Sequence, residues 1–182
     1  ALKKYILILI ILSLGINSDV YQKLEFLYNS NDYIAAKQIF ESNALKDEKS
    51  YYLAYMIYLK LDDLNNANKF LQLTINEDEN DKVIYSDAAD YLSGLINDLK
   101  NSNKTLTSGF VNDAISELNI LLNKYPDNAI VYYRLGYAHK ENSDFDNAVI
   151  NFKKAANLNP YKSEYVDEIK FIANIEILKG KE

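Results

Sequence analysis

From residue 19 onward, apolar residues recur at spacings of three and four, separated by short polar stretches. Val20, Leu24 and Leu27 make one stripe, and Tyr33, Ala36 and Phe40 the next. Tyr51, Ala54, Tyr55 and Tyr58 form a third, Leu64, Ala67 and Leu71 a fourth. That spacing puts side chains on one face of an α-helix; a half-buried strand would alternate with period two, and no such alternation persists. Polar breaks fall at Asn29–Asp32, Asp62–Asp63, Asn76–Asp81, Asn101–Lys104, Pro126–Asn128, Glu141–Asp144 and Pro160. The pattern predicts about nine helices, joined mostly by loops of about two to six residues, which makes sequential helices antiparallel.

The start of the chain follows another rule. Lys3 and Lys4 precede an unbroken apolar run from Tyr5 to Leu12, continued by Leu14. A charged start followed by an apolar stretch of about ten residues is the pattern of a secretory signal, and is shorter than the roughly 20 residues that span a membrane. Residues 1–18 therefore predict export, with small residues for cleavage at Ser13–Gly15 or Ser18. An uncleaved inner-membrane anchor is the alternative. A buried first helix fits less well, because Tyr5–Leu12 has no polar face.

A longer period is present as well. Pro126 lies 34 residues before Pro160, and Ala114 lies 34 before Ala148. In residues 129–161, Tyr132, Leu135, Gly136 and His139 lie on a first helix, Ala148, Phe152 and Ala155 on a second, and Pro160 ends it. Gly136 allows close approach of the second helix, Ala148 is the small residue that meets it, and Pro160 stops the helix for want of an N–H.

This segment resembles the tetratricopeptide repeat, with Tyr132 where Trp is usual and His139 where Tyr is usual. The resemblance implies an all-α chain: an α-solenoid of about four helix-turn-helix repeats plus a C-terminal capping helix. The expected units lie near residues 19–47, 48–80, 82–128 and 129–162, with the cap at 163–180. The third unit is aligned on Gly94, its first helix at about Lys82–Lys100, and an extended loop at Asn101–Ser108 absorbs the extra length.

In that family the first helices line a concave groove that binds a peptide or protein segment. The residue three before the central small position should point into it, which selects Tyr21, Tyr52, Tyr91 and Tyr133. Met56 and Tyr137 lie one turn on, with Arg134 and Lys140 nearby. Aromatics with a few cations suit a peptide carrying apolar and acidic groups. Tyr on a helix is also commonly core, so these residues serve either packing or binding.

Composition narrows the chemistry. The 182 residues contain no Cys and one His, which excludes disulfides, zinc ribbons, thiol catalysis and any site needing two imidazoles. With 20 Lys+Arg against 26 Asp+Glu, the net charge of -6 speaks against nucleic-acid binding. Heavy use of Lys, Asn, Ile and Tyr suits an AT-rich bacterial genome. His139 reads as a packing residue, and the acidic run Glu77–Asp81 lacks the Gly and distal Glu of a calcium loop. The sequence thus predicts a non-catalytic scaffold without cofactor or metal, binding a protein or peptide partner and exported to the periplasm or envelope. A cytosolic or membrane-tethered adaptor is the runner-up, an enzyme a remote third.

Overall fold

Each predicted stripe folds as a helix whose apolar face is covered by its neighbour. The computed structural model describes residues 18–43, 45–77 and 81–179. The predicted export segment falls outside them except for Ser18, as do three residues of the acidic run Glu77–Asp81. Ten helices and no strand are present among the described residues. The first, α1, is helical over residues 18–29. Then come α2 (Tyr33–Ser42), α3 (Glu48–Lys60), α4 (Leu64–Glu77) and α5 (Asp81–Ile84). They are followed by α6 (Ser86–Thr107), α7 (Val111–Lys124), α8 (Ala129–Glu141), α9 (Phe145–Leu158) and α10 (Ser163–Lys179). No helix among the described residues is long and apolar enough to cross a membrane.

The chain divides into two units, residues 1–89 and 90–182. In the first, α3 packs on both α2 and α4. Leu24, Ala36, Ala54, Ile57, Ala67 and Leu71 are fully enclosed or nearly so. Aromatic rings fill the space between helices: Phe70 stands edge-on to Phe40 at 4.9 Å and stacks on Tyr58 at 5.4 Å. The Tyr58 hydroxyl donates to Glu41 at 2.8 Å. Burial and that acceptor push its pKa up.

In the second unit, α8 packs on α7 and α9, and α9 on α10. Phe152 is wholly buried among Ala148, Ile172 and the half-buried Tyr133 and Tyr137. Burying a ring of that size contributes about 1.5–3 kcal/mol. Gly136 has the predicted role, since a Cβ there would lie 2.8 Å from the Phe152 ring and 3.1 Å from the Ala148 carbonyl.

Two expectations fail in α6. Its helix starts at Ser86, after the single turn α5, and continues to Thr107, so Asn101–Thr107 is helix and not loop. Leu92, Leu95, Leu99 and Ser102 are all buried at helical spacing. Packing of that stripe overrides the weak helix propensity of Asn101, Ser102 and Asn103. Their neighbourhood is satisfied internally: the Ser102 hydroxyl donates to the Leu99 carbonyl, and Thr105 Oγ1 to the Asn101 carbonyl. Nor does Gly94 meet Ala114. A Cβ there would lie 2.9 Å from the Tyr125 hydroxyl, which donates to Asp98 at 2.8 Å. Lys124 reaches the same carboxylate at 2.7 Å, and that hydrogen bond lowers the Asp98 pKa.

Candidate functional site

The turns between paired helices set the register of every candidate residue. After α8, the amide of Asn142 donates to Ala138, that of Ser143 to Lys140 and that of Asp144 to His139; Ala148 then donates to Asp144. The same four bonds recur after α1, α3 and α6, involving Ser30–Asp32, Leu61–Asp63 and Ser108–Phe110. In each turn one residue takes the left-handed conformation: Asn31 (φ 60°), Asp62 (φ 55°), Gly109 (φ 86°) and Ser143 (φ 59°). That residue turns the chain back and satisfies the helix's last carbonyls. The next residue caps the following helix. Asp32, Asp63 and Asp144 accept the amide three residues on, at 3.1, 3.1 and 3.3 Å. Phe110 holds that place before α7 and supplies no side-chain cap.

Counting back seven residues from each left-handed position gives the small-residue site: Leu24, Tyr55, Ser102 and Gly136. Three earlier stand Tyr21, Tyr52, Leu99 and Tyr133. Three of the four predicted tyrosines keep their place. Tyr91 does not: it lies two turns earlier on α6, 42% exposed, with its ring edge-on to Tyr125 at 5.5 Å. Leu99 takes its position and is buried.

In the first unit, Tyr21, Tyr52 and Met56 are half-buried. The Tyr52 ring lies 4.7 Å from Tyr85 and 5.6 Å from Tyr55. The Tyr85 hydroxyl donates to Glu48 at 2.7 Å. Burial first, then the charges of Glu25 and Asp47, raise the Tyr21 pKa.

In the second unit the structure brings Tyr133, Arg134, Tyr137 and Lys140 together along α8, all half-buried. Tyr133 packs against Tyr165 at 4.9 Å and Phe152 at 5.6 Å, and burial raises its pKa. Lys140 donates to Glu168 on α10 at 2.7 Å and lies over the rings of Tyr137 (4.4 Å) and Phe171 (5.3 Å). Such contacts between a partly desolvated cation and aromatic faces are attractive by about 0.5–2 kcal/mol. Arg134 Nη1 donates to Asn103 on α6 at 3.4 Å, while its buried Nε meets no acceptor.

Sequence reasoning missed Asn103, Glu168 and Phe171. Asn103 fell in the expected loop. Phe171 stands 34 residues after Tyr137, so the period alone would have found it, had α10 been read as a first helix and not only as a cap.

The chemistry of this face is donation and aromatic contact. His139 Nδ1 lies 2.9 Å from Asp144 Oδ2. That carboxylate also accepts from the Asn147 side chain, which with the other bonds lowers its pKa. The pair ties the end of α8 to the cap of α9. No group of three His, Asp or Glu able to hold a metal is present among the described residues.

Residues 129–162 match the family model described as Tetratricopeptide repeat. No curated protein matches the chain. Among solved structures, MamA from Desulfovibrio magneticus RS-1 is 16% identical, covers 88% of this chain and 85% of its own, and superposes with a TM-score of 0.41. A MamA described as AMB-1 is 18% identical over 88% of this chain and 82% of its own, with a TM-score of 0.38. YrrB, described as a TPR protein with an unusual peptide-binding site, is 18% identical over 85% of this chain and 74% of its own, with a TM-score of 0.36.

Proposed function

We propose, from the tetratricopeptide repeat at residues 129–162 and the three other helix pairs that share its turn, that this chain is a non-catalytic scaffold that binds a protein or peptide segment. In the second unit the segment lies against Arg134, Tyr137 and Lys140 of α8, with Asn103 of α6 and Phe171 of α10 beside them. The observation that carries this reading is Arg134. Its guanidinium end carries one long, exposed side-chain bond, from Nη1 to Asn103 at 3.4 Å. Guanidinium presents five donors in a fixed fork that suits a carboxylate. A carboxylate or carbonyl of a bound segment would accept from its open NH2 groups, and Tyr137 and Phe171 offer apolar contact next to it. The partner chemistry is therefore a segment with acidic and apolar side chains.

The reading includes export to the bacterial envelope, supported by Lys3 and Lys4 ahead of the apolar Tyr5–Leu12. N-terminal sequencing of protein from the native cell tests that part, and a terminus that still retains Tyr5–Leu12 overturns cleavage. For the face itself, a photo-crosslinking residue is placed at position 137 and adducts are compared with and without Arg134→Glu. Adducts that vanish while helicity is kept support the reading. Adducts unchanged by Arg134→Glu, or confined to general chaperones, refute it.

A further inference from the structure

α2 stops about a turn short of the helices that hold the same place in the other pairs. It has 10 residues, where α4, α7 and α9 have 14 each. The spacing of the turns shows the same shortfall. The left-handed residues Gly109 and Ser143 stand 34 positions apart, Asn31 and Asp62 only 31. Three residues are close to one turn of helix. Twelve positions after the left-handed residue, α4, α7 and α9 carry Thr74, Leu121 and Ala155, all buried. In α2 the helix has already ended there. Asn43 holds that position, half-buried and extended, and its side chain donates to the Ile39 carbonyl at 2.7 Å.

A cleft of about 450 Å³ lies over α3, between the end of α2 and α4, within the first unit. Its floor is aromatic. Phe40 and Tyr58 are buried, Tyr51 and Phe70 half-buried. Tyr51 and Tyr58 both stack on Phe70, at 6.1 and 5.4 Å. The rim carries Glu41, Lys46 and Lys69, all exposed. Glu41 already accepts from the Tyr58 hydroxyl and lies 3.8 Å from Lys37. Asp47 and Asp63, beside the cleft, are engaged by Ser50 and Asn66 at the starts of α3 and α4. Lys46 and Lys69 have no acidic partner among the described residues, and Lys69 lies over the Phe70 ring at 5.0 Å.

An aromatic floor beside two uncommitted ammonium groups suits an apolar side chain next to a carboxylate. Sites for small molecules enclose about 70–90% of the ligand's surface. This cleft does not, since Tyr51, Phe70 and Leu73 are half open and the charged rim is exposed. An open trough where a helical turn would lie fits a few residues of polypeptide. We propose that the cleft between α2 and α4 docks a short segment of another protein, with an aromatic or branched side chain against Tyr51 and Phe70 and an acidic side chain held by Lys46 and Lys69. It shares no residue with the α8 face, so the chain offers two separate docking sites.

A phage-displayed library of random peptides is selected on full-length Arg134→Glu chain, which takes the α8 face out of the contest and separates the two sites. Enriched peptides should pair an aromatic or branched residue with Asp or Glu. Their affinity for the unaltered full chain is then read by fluorescence anisotropy. Lys46→Glu with Lys69→Glu should weaken it about tenfold or more. Lys153→Glu, the same reversal at an exposed site on α9, should leave it unchanged. All three lysines are exposed, so circular dichroism should not change. Bound peptide should slow amide exchange in α2 and α4 and not in α8 or α10. No enrichment overturns the proposal, as do peptides without acidic residues, or binding that the double reversal leaves intact or that Lys153→Glu weakens equally. A dimer of the full chain that the double reversal dissolves would put a second copy in the cleft and overturn a separate partner.

Discussion

Gly136→Ala tests the packing at the centre of the α8–α9 pair, because two effects of opposite sign compete there. In an ordinary helix interior this change stabilises by about 1 kcal/mol, through the entropy that glycine loses on folding. Here the new Cβ would lie 2.8 and 2.9 Å from two ring carbons of Phe152 and 3.1 Å from the Ala148 carbonyl. Phe152 is 0% exposed and has no room to retreat. The carbonyl belongs to the backbone of α9 and moves only with that helix. Forcing extra volume into a filled core costs about 1–3 kcal/mol. The net expectation is destabilisation by about 1 kcal/mol. Urea unfolding of the full chain followed by circular dichroism measures it. Hydrogen exchange of α8 and α9 amides localises it, since the two units need not unfold together. Ser102→Ala is the control at the equivalent place on α6. The hydroxyl bonds only to its own helix, at Leu99, so the change should stay within about 0.5 kcal/mol. Stabilisation of about 1 kcal/mol by Gly136→Ala would refute the close approach.

Three further outcomes are expected. Phe110→Asp supplies the cap that the other three turns have, so it should stabilise α7 by about 0.5–1 kcal/mol in the same urea assay. Burial raises the pKa of Tyr21, Tyr28, Tyr58, Tyr125 and Tyr133 above the ordinary value of 10.0. Their contribution to stability is therefore whole below about pH 10, the value in the unfolded chain, and is lost as pH rises through the folded values. Spectrophotometric titration should show a group of tyrosines that ionise only as helicity collapses. Asp144 has the opposite sign. Its lowered pKa gives stability that is present above about pH 4 and lost as pH falls through the folded value, so Asp144→Asn should flatten the acid limb of a plot of urea midpoint against pH.

The sequence by itself determined the helical class of the described residues and the one well-marked pair, α8 and α9. Period-three-and-four stripes, Gly136 against Ala148 and Phe152, and the stop at Pro160 are local signals, and local signals survive in a one-dimensional reading. That Tyr133, Arg134, Tyr137 and Lys140 lie along one helix was legible for the same reason. The tertiary structure decided what depends on a partner element. Asn101–Thr107 reads as a polar break until Leu99 and Ser102 are buried, and that burial turns it into helix. The register of the third pair followed, because the turn at Ser108–Phe110, with Gly109 at φ 86°, replaced Gly94 by Ser102 and Tyr91 by Leu99. The contacts of Lys140 with Glu168 and Phe171, and of Arg134 with Asn103, join residues 28 to 31 positions apart on different helices. No pattern within one helix encodes them, since they exist only once packing has set neighbouring helices side by side.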